Sequence, residues 1–176
     1  MGLSCSPPQK WIADHKDRLQ PPVGAEVVFE LSEDYIIIVV GGPNRRSDYH
    51  INMSEEFFFQ LKGDMVLKVV LDGRFEDVPI AEGSVLLLPA LVPHSPQRGA
   101  DTVGLVVERR RTGELTDGLR WYCDACRELL YEERFQFQTL AIGAALAPII
   151  QRFYASEALR TCKHCKHVSV VPENRK

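Results

Sequence analysis

The sequence predicts a mainly β protein in which short strands form a barrel or sandwich, followed by a small metal-binding extension. Strand-like runs, separated by turns that carry Gly, Asp or Pro, continue to Arg111, which is typical of all-β barrels and sandwiches. After Arg111, two pairs of cysteines and a helical stretch replace the strands. We therefore expect a barrel domain with an N-terminal helix over residues 1–116 and an extension of helix and loops over residues 117–176.

A short helix is expected ahead of the barrel. The run Ser6–Gln9 (SPPQ) has the pattern of a capping box with proline at the first helical position. The residues that then recur on one side of this helix are Trp11, Ile12, His15 and Leu19. Pro21 and Pro22 end the helix, because proline cannot continue it.

β-Branched and aromatic runs mark the strands of the barrel. They are Tyr35–Val40 (YIIIVV), Phe57–Leu61, Met65–Leu71, Ser84–Leu88 and Thr102–Arg109. Asp72-Gly73, between two of these runs, is typical of a tight hairpin turn. Beyond the strands we expect a linker at Thr112-Gly113 and Asp117-Gly118, and a helix over Ala141–Glu157.

Composition favours an ordinary globular protein. The chain has 176 residues, a net charge of −3 and 45% hydrophobic residues, so neither nucleic acid nor an acidic membrane is an expected partner. The longest apolar stretch, Leu140–Ile150, is too short to span a bilayer. We expect a cytoplasmic protein, because the N-terminal residues lack the apolar region of a secretory signal. Their match to a myristoylation pattern at Gly2 is interpreted as chance.

Two histidines and a glutamate predict an open metal centre. His50 and Glu56 lie in one glycine-bounded segment, and His94 lies in a second. Such a set of ligands leaves coordination positions free for substrate and O2, as non-haem Fe(II) oxygenases require. Glu55 is an alternative to Glu56, but the spacing favours Glu56. Another carboxylate, Glu108, ends an apolar strand, and periodicity leaves open whether it is buried and paired or exposed.

Arg46 and Arg98 each stand four residues from one of these histidines, so on a strand each shares the face of its histidine. Their guanidinium groups could then face the metal and bind the carboxylate of a small anionic substrate. The alternative for both is a solvated surface charge. That is the position we expect for three other arginines: Arg45, Arg110 and Arg111.

Four cysteines form two CxxC pairs: Cys123, Cys126, Cys162 and Cys165. Each pair can present two thiolates to one tetrahedral metal, and four protein ligands leave no open position, which predicts a structural site. Zinc and iron both suit four thiolates. The alternative is four unrelated reduced cysteines.

The two segments that carry the histidines resemble the paired motifs of the cupin superfamily of small, jelly-roll-like β-barrels. In that superfamily the first motif supplies His and Glu ligands and the second supplies a His, which matches His50, Glu56 and His94. Asp48 stands where a further ligand histidine is usual, and Leu91 stands where glycine is usual. The loss of one ligand is consistent with a three-ligand oxygenase site, and Asp48 is a candidate to orient a ligand histidine.

Longer motifs resemble the 3-hydroxyanthranilate 3,4-dioxygenase family, in its single-domain form with a rubredoxin-like cysteine tail. They are residues 40–50 (VGGPNRRSDYH), 88–98 (LPALVPHSPQR), 106–109 (VVER) and 121–126 (WYCDAC). The resemblance implies that His50, Glu56 and His94 bind the catalytic Fe(II), and that the four cysteines bind a second iron or a zinc ion. It also implies a homodimer.

By the same resemblance, four side chains contact the substrate, 3-hydroxyanthranilate. Arg46 and Arg98 would hold its carboxylate, Glu108 would be catalytic by bonding the amine or moving its proton, and Glu56 would also contact it. The implied reaction is extradiol-type ring opening by O2 to 2-amino-3-carboxymuconate semialdehyde. That product cyclises to quinolinate in the kynurenine pathway of tryptophan catabolism and NAD biosynthesis. Ala25 departs from the Asn that many relatives carry near the active-site lid.

Two other functions are alternatives to this reaction. A metal-binding cupin that binds or senses a small aromatic carboxylate without turnover would not need open positions on the metal. A zinc-ribbon adaptor for nucleic acid is disfavoured by the net charge of −3 and by the lack of a basic patch interleaved with aromatic residues.

Overall fold

The computed structural model describes residues 7–19, 24–28, 33–44, 46–111, 116–136 and 142–172. Within these ranges the chain is mainly β, which confirms the predicted fold class. Two antiparallel sheets pack against each other, and helices lie before the first sheet strand and in the extension. None of the helices in these ranges is long and apolar enough to cross a membrane.

The strands within the described ranges form a five-stranded and a six-stranded sheet. They are β1 (Ala25–Val27), β2 (Tyr35–Gly41), β3 (Asp48–Ile51), β4 (Glu56–Lys62), β5 (Met65–Leu71), β6 (Arg74–Ile80), β7 (Val85–Leu88), β8 (His94–Arg98), β9 (Val103–Arg109), β10 (Asp117–Tyr122) and β11 (Leu129–Phe135). The sheet orders are β1-β2-β9-β4-β7 and β11-β10-β3-β8-β5-β6. No ladder among the described residues joins the two sheets, so the predicted jelly-roll-like barrel takes the form of two facing sheets.

The main core lies between the sheets. Ile38, Phe58 and Val106 enter it from the five-stranded sheet, and Leu67 enters from the six-stranded sheet. Because side chains alternate along a strand, every second residue of these strands faces this core. Ala25 packs against the same core from β1.

The predicted strands are confirmed as β2, β4, β5, β7 and β9. Their β-branched and aromatic side chains suit a pleated surface that is packed on one or both faces. The predicted hairpin is also confirmed, since Asp72 and Gly73 join β5 to β6 with φ of 48° and 76°. Positive φ at both positions is what a two-residue type I′ turn requires.

The N-terminal helix, α1 (Pro8–Asp14), has Pro7 in the cap position and continues into a 3-10 turn at Lys16–Leu19. The expected cap, Ser6, lies outside the described residues. Leu19 and the partly buried Trp11 pack in a cluster on the outer side of the five-stranded sheet. Other residues considered above also lie outside the described ranges: Gly2, Cys5, Pro21, Pro22, Arg45, Thr112 and Gly113.

The extension begins with two strands of the six-stranded sheet. Asp117 and Gly118 are buried residues of β10, which pairs with β3, so the linker predicted at this position is wrong. The predicted helix is confirmed as α2 (Ile142–Ala155), with α3 (Glu157–Arg160) after it. α2 packs on β10 and stacks the ring of Phe153 on that of Trp121, with centroids 4.4 Å apart. Hydrogen bonds between β10 and β3 cross the expected boundary after residue 116, and the division into two domains stays a prediction.

Candidate metal centre

The three expected metal ligands meet between the sheets, at one end of the core. His50 of β3 lies directly opposite His94 of β8 in the six-stranded sheet. Glu56 is the first residue of β4 in the facing sheet, where it pairs with Glu108 of β9. The strands therefore set the position of each of these side chains, and no flexible loop is needed to bring them together.

The distances within this group suit a small cation. Glu56 Oε1 is 3.4 Å from His50 Nδ1 and 3.2 Å from His94 Nε2, and one ligand atom from each residue lies within 4.8 Å of the others. Glu56 and His94 are buried, and His50 is nearly so. Glu55, the alternative to Glu56, is exposed.

The remaining nitrogen of each imidazole is engaged on the far side of the ring. His50 Nε2 is 2.7 Å from Asp117 Oδ2, and His94 Nδ1 is 3.0 Å from the carbonyl oxygen of Val92. Because these partners accept hydrogen bonds, each ring carries a proton on its outer nitrogen and turns its other nitrogen toward Glu56, where a metal ion can take the place of a proton. Two imidazole nitrogens and a carboxylate oxygen fit a divalent metal, and three protein ligands leave positions open on it.

Electrostatics also favour a cation at this point. Burial disfavours the charged form of His50, yet its hydrogen bonds to Asp117 and Glu56 raise its pKa to about 9. Burial likewise opposes ionisation of Glu56, but the adjacent imidazoles, His94 first, hold the pKa of Glu56 well below its usual range. The group thus favours a negative carboxylate with positive charge around it, which a bound metal ion would provide.

Glu108 is buried beside this group. Of the two alternatives that the sequence left open, it is therefore the buried, paired carboxylate. Asn52 Nδ2 donates to Glu56 Oε1 at 3.0 Å and to Glu108 Oε2 at 2.9 Å, and so connects the two carboxylates. Arg111 Nη1 is 2.9 Å from Glu108 Oε1. Burial, followed by the negative charge of Glu56, raises the pKa of Glu108 above its usual value, and Arg111 opposes this shift.

The expectation that Arg111 is a solvated surface charge is wrong. Its side chain is 5% exposed and lies between Glu108 and Asp117, with Nη2 2.6 Å from Asp117 Oδ2. Sequence reasoning missed Arg111, Asp117 and Asn52 as parts of this site. Asn52 lies between two expected ligands in sequence, which is a usable signal, whereas Asp117 is followed by glycine and has the sequence pattern of a turn.

Arg46 lies at the edge of the centre. Its guanidinium contacts the carboxylate of Asp48, with Nε 3.0 Å from Oδ2. Burial lowers the pKa of Arg46, but the charges of Asp48 and, at longer range, Glu56 raise it overall. Asp48 was a candidate to orient a ligand histidine, but the carboxylate that lies against His50 is that of Asp117.

Arg98 shares the inward face of β8 with His94 but lies deeper in the core. Its side chain is almost fully buried, Nη1 donates to Gln60 Oε1 at 2.8 Å, and burial lowers its pKa to about 10. The guanidinium rests against Gly104, where a Cβ atom would come within 2.6 Å of it. Gln60 and Gly104 are each four residues from Glu56 and Glu108 respectively, or roughly 13 Å along the strands. The structure thus places Arg46 near the ligand group and Arg98 away from it.

The four expected cysteines form a second group. Cys123 and Cys165 Sγ atoms are 3.6 Å apart, those of Cys126 and Cys162 are 3.5 Å apart, and all four lie within 4.8 Å of one another. The two CxxC turns repeat the same backbone. In each, the residue after the second cysteine has a positive φ and donates its N–H to the carbonyl of the first cysteine. A site with four sulfur ligands suits iron or zinc.

The sequence matches the model of the family "3-hydroxyanthranilic acid dioxygenase" over residues 6–154. Curated relatives named 3-hydroxyanthranilate 3,4-dioxygenase include one from Xanthomonas euvesicatoria, 49% identical over 163 residues, or 93% of this chain and 90% of the relative. A second, from Paraburkholderia phytofirmans, is 50% identical over 161 residues, or 91% of each chain. A third, from Neurospora crassa, is 44% identical over 156 residues, or 89% of this chain and 84% of the relative.

Among solved structures, the chain is similar to a cupin-2 domain protein from Shewanella frigidimarina. The TM-score is 0.47 and the identity 17%, with 56% of this chain and 92% of that chain covered.

Proposed function

Because the chain belongs to the 3-hydroxyanthranilic acid dioxygenase family, we propose that it opens the ring of 3-hydroxyanthranilate with O2. The product would be 2-amino-3-carboxymuconate semialdehyde, which cyclises to quinolinate without an enzyme. The observation that carries this proposal is the group formed by His50, Glu56 and His94, in which each imidazole bonds an acceptor through its outer nitrogen and turns its inner nitrogen toward the carboxylate. A reaction that joins a chelating substrate and O2 at one metal needs such an open site.

The metal in this proposal is Fe(II), held by His50 Nδ1, Glu56 Oε1 and His94 Nε2. When bound, such an ion would supply open positions for the hydroxyl and amine of the substrate and for O2, and a path for electrons between them. The protein itself would hold the substrate, exclude bulk water and accept protons from the hydroxyl and amine of the substrate. The buried position of Glu56 and His94 between the sheets supports this division.

Arg46 and Arg98 would hold the substrate carboxylate. In the described ranges Arg98 has no carboxylate partner, and its Nε has no hydrogen-bond partner. A buried, uncompensated cation is unfavourable, and an anionic ligand would relieve it. Arg46 lies closer to the ligand group, so its guanidinium would bind the substrate carboxylate first. Arg98 would then leave Gln60 and donate to the same carboxylate.

Glu108 would accept a proton from the substrate amine or hydroxyl. Burial raises the pKa of Glu108, which makes its carboxylate a better proton acceptor than an exposed one. Asn52 and Arg111 hold the carboxylate in place, so it can act without reorienting.

The test is reconstitution under controlled O2. The protein is purified anaerobically and given Fe(II) and 3-hydroxyanthranilate, then air is admitted. Iron-dependent absorbance of the semialdehyde and matching O2 uptake are expected. His50→Ala should remain folded and lack both signals. Binding of the substrate to the iron-loaded parent without O2 uptake would contradict turnover and indicate a carboxylate-binding cupin.

We also propose a homodimer formed through the outer face of the five-stranded sheet. Ile37, Val107, Phe57 and Leu87 are cross-strand neighbours on that face, in β2, β9, β4 and β7. Leu87 and Val85, on the edge strand, are 57% and 60% exposed. A continuous apolar row of this width usually marks an interaction surface, and a second copy of the same face would cover it.

The four-cysteine group would hold iron or zinc as a structural metal. Its cysteines are free of disulfides, and reduced thiols need a reducing compartment, which supports a location in the cytoplasm.

A further inference from the structure

Asp117 lies behind His50 and has no role in the function proposed above, and Arg111 enters that function only as a partner of Glu108. Asp117 is completely buried, and its Oδ2 accepts the hydrogen bond of His50 Nε2 at 2.7 Å. The ladder between β10 and β3 pairs Leu119 with His50, so the main chain fixes where the Asp117 carboxylate reaches the ring.

Arg111 fixes this carboxylate in turn. Its Nε is 3.0 Å from Asp117 Oδ1, and its Nη2 is 2.6 Å from Oδ2. The same guanidinium contacts Glu108 through Nη1 and Nη2, at 2.9 Å and 3.1 Å. One planar cation thus joins the carboxylate behind His50 to the carboxylate beside the proposed substrate, which the single ammonium of lysine cannot reproduce.

We propose that Asp117, clamped by Arg111, is a positioning residue that holds His50 in the tautomer and orientation needed for metal binding. The proposal rests on the metal centre of the function proposed above. A hydrogen bond to the outer nitrogen places the ring proton on Nε2 and leaves Nδ1 free for the metal. Without Asp117 the ring loses the hydrogen bond at Nε2 that fixes its tautomer and orientation.

A purely structural ion pair is the competing explanation. A buried salt bridge can be replaced by apolar side chains with little loss of stability, so stability alone does not separate the two roles. Metal affinity does, since partners of this kind typically contribute about 10- to 100-fold to metal binding.

The experiment is a Co(II) titration of anaerobic, iron-free protein whose cysteine site has first been filled with Zn(II). The visible absorption of Co(II) reports the affinity and the ligand geometry, and His50→Ala identifies the signal of this site. Asp117→Ala should bind Co(II) about 10- to 100-fold more weakly than the parent, with altered bands. Asp117→Asn keeps an oxygen that accepts from Nε2 and should lose less than Asp117→Ala.

Glu132→Gln is the matched control. Glu132 of β11 is also held by two arginines, Arg120 and Arg134, but contacts none of the expected metal ligands. This variant should bind Co(II) as the parent does. Arg111→Met should weaken Co(II) binding, because the clamp is lost while Asp117 remains.

Parent-like affinity and bands in folded Asp117→Ala would overturn the proposal. If that variant does not fold, parent-like behaviour of both Asp117→Asn and Arg111→Met overturns it instead. A parent that binds Co(II) at His50 but does not open the ring with Fe(II) contradicts the proposed function alone, and weaker binding by Asp117→Ala would still support the positioning role.

Discussion

The two imidazoles of the centre depend on different kinds of partner. His94 donates to the main-chain carbonyl of Val92, which every residue at that position provides. His50 relies on a side chain, that of Asp117, which a single substitution removes. At the scale of residues, the orientation of His50 is therefore the more vulnerable of the two.

We expect Arg98 to lower the stability of the protein and to raise its affinity for the substrate. Arg98→Met removes a buried cation with no carboxylate partner among the described residues, so we expect the melting temperature to stay level or rise. KM for 3-hydroxyanthranilate should rise about 100-fold, the loss typical of a buried charge contact. Thermal unfolding and steady-state kinetics measure the two effects.

Arg74→Gln is the control for Arg98→Met, because Arg74 is an exposed arginine on β6. It should change neither the melting temperature nor KM. A fall in stability of Arg98→Met with KM unaltered would mean that Arg98 has a structural role.

Leu91 carries local backbone strain. It has φ of 67° at the position where the cupin motif has glycine, and its side chain is 54% exposed. Leu91→Asn should raise the free energy of unfolding by roughly 0.5–1 kcal/mol, because Asn tolerates this conformation and little apolar contact is lost. Chemical denaturation measures the change.

Val170→Asn, at another exposed apolar residue without positive φ, should leave the free energy of unfolding near the parent value. An equal gain in the free energy of unfolding of both variants would mean that replacing an exposed apolar side chain, and not the positive φ, causes the effect.

At the scale of elements, the apolar strands were predictable, and the two strands that carry the histidine ligands were not. β2 has the run YIIIVV, which only a buried strand explains well. β3 (DYHI) and β8 (HSPQR) lack apolar alternation, because their inward positions carry the site. The motif spacing of His50, Glu56 and His94 compensated for this. No motif marks β10, whose opening Asp-Gly resembles a turn, so Asp117 was missed.

The cysteine turns join β10 and β11 to the segment after α3. Cys123→Ser should lower the melting temperature by several degrees, because the four-sulfur site then loses a ligand and the tail loses its anchor. Ring opening by the folded protein at low temperature should be largely kept. Calorimetry and the O2 assay, with iron analysis, check this expectation.

The matched control is Cys5→Ser, at the cysteine outside both CxxC pairs, which should behave as the parent. Loss of turnover in folded Cys123→Ser that retains its active-site iron would show that the tail takes part in the reaction.

At the scale of the whole molecule, the outer face of the five-stranded sheet should control assembly. Leu87→Asp places a charge in the apolar row, and we expect it to convert a dimer to a monomer in sedimentation experiments, because a buried unpaired charge is unfavourable. Val170→Asp adds a charge at an exposed residue of the tail and should leave the dimer intact. A parent that sediments as a monomer would refute the homodimer.

Gly104 lies against the guanidinium of the buried Arg98, so the sizes of these two residues depend on each other. While Arg98 is present, a side chain at position 104 requires the guanidinium to shift, because its Cβ atom would come within 2.6 Å of it. Once Arg98 is shortened, a larger residue at 104 can occupy the space that the guanidinium leaves. Shortening Arg98 on β8 and enlarging residue 104 on β9 would therefore replace a buried charge by apolar contacts. The register of the strands that carry the metal ligands would not need to change. This pair is the natural starting point for redesigning the enzyme toward aminophenols that lack a carboxylate.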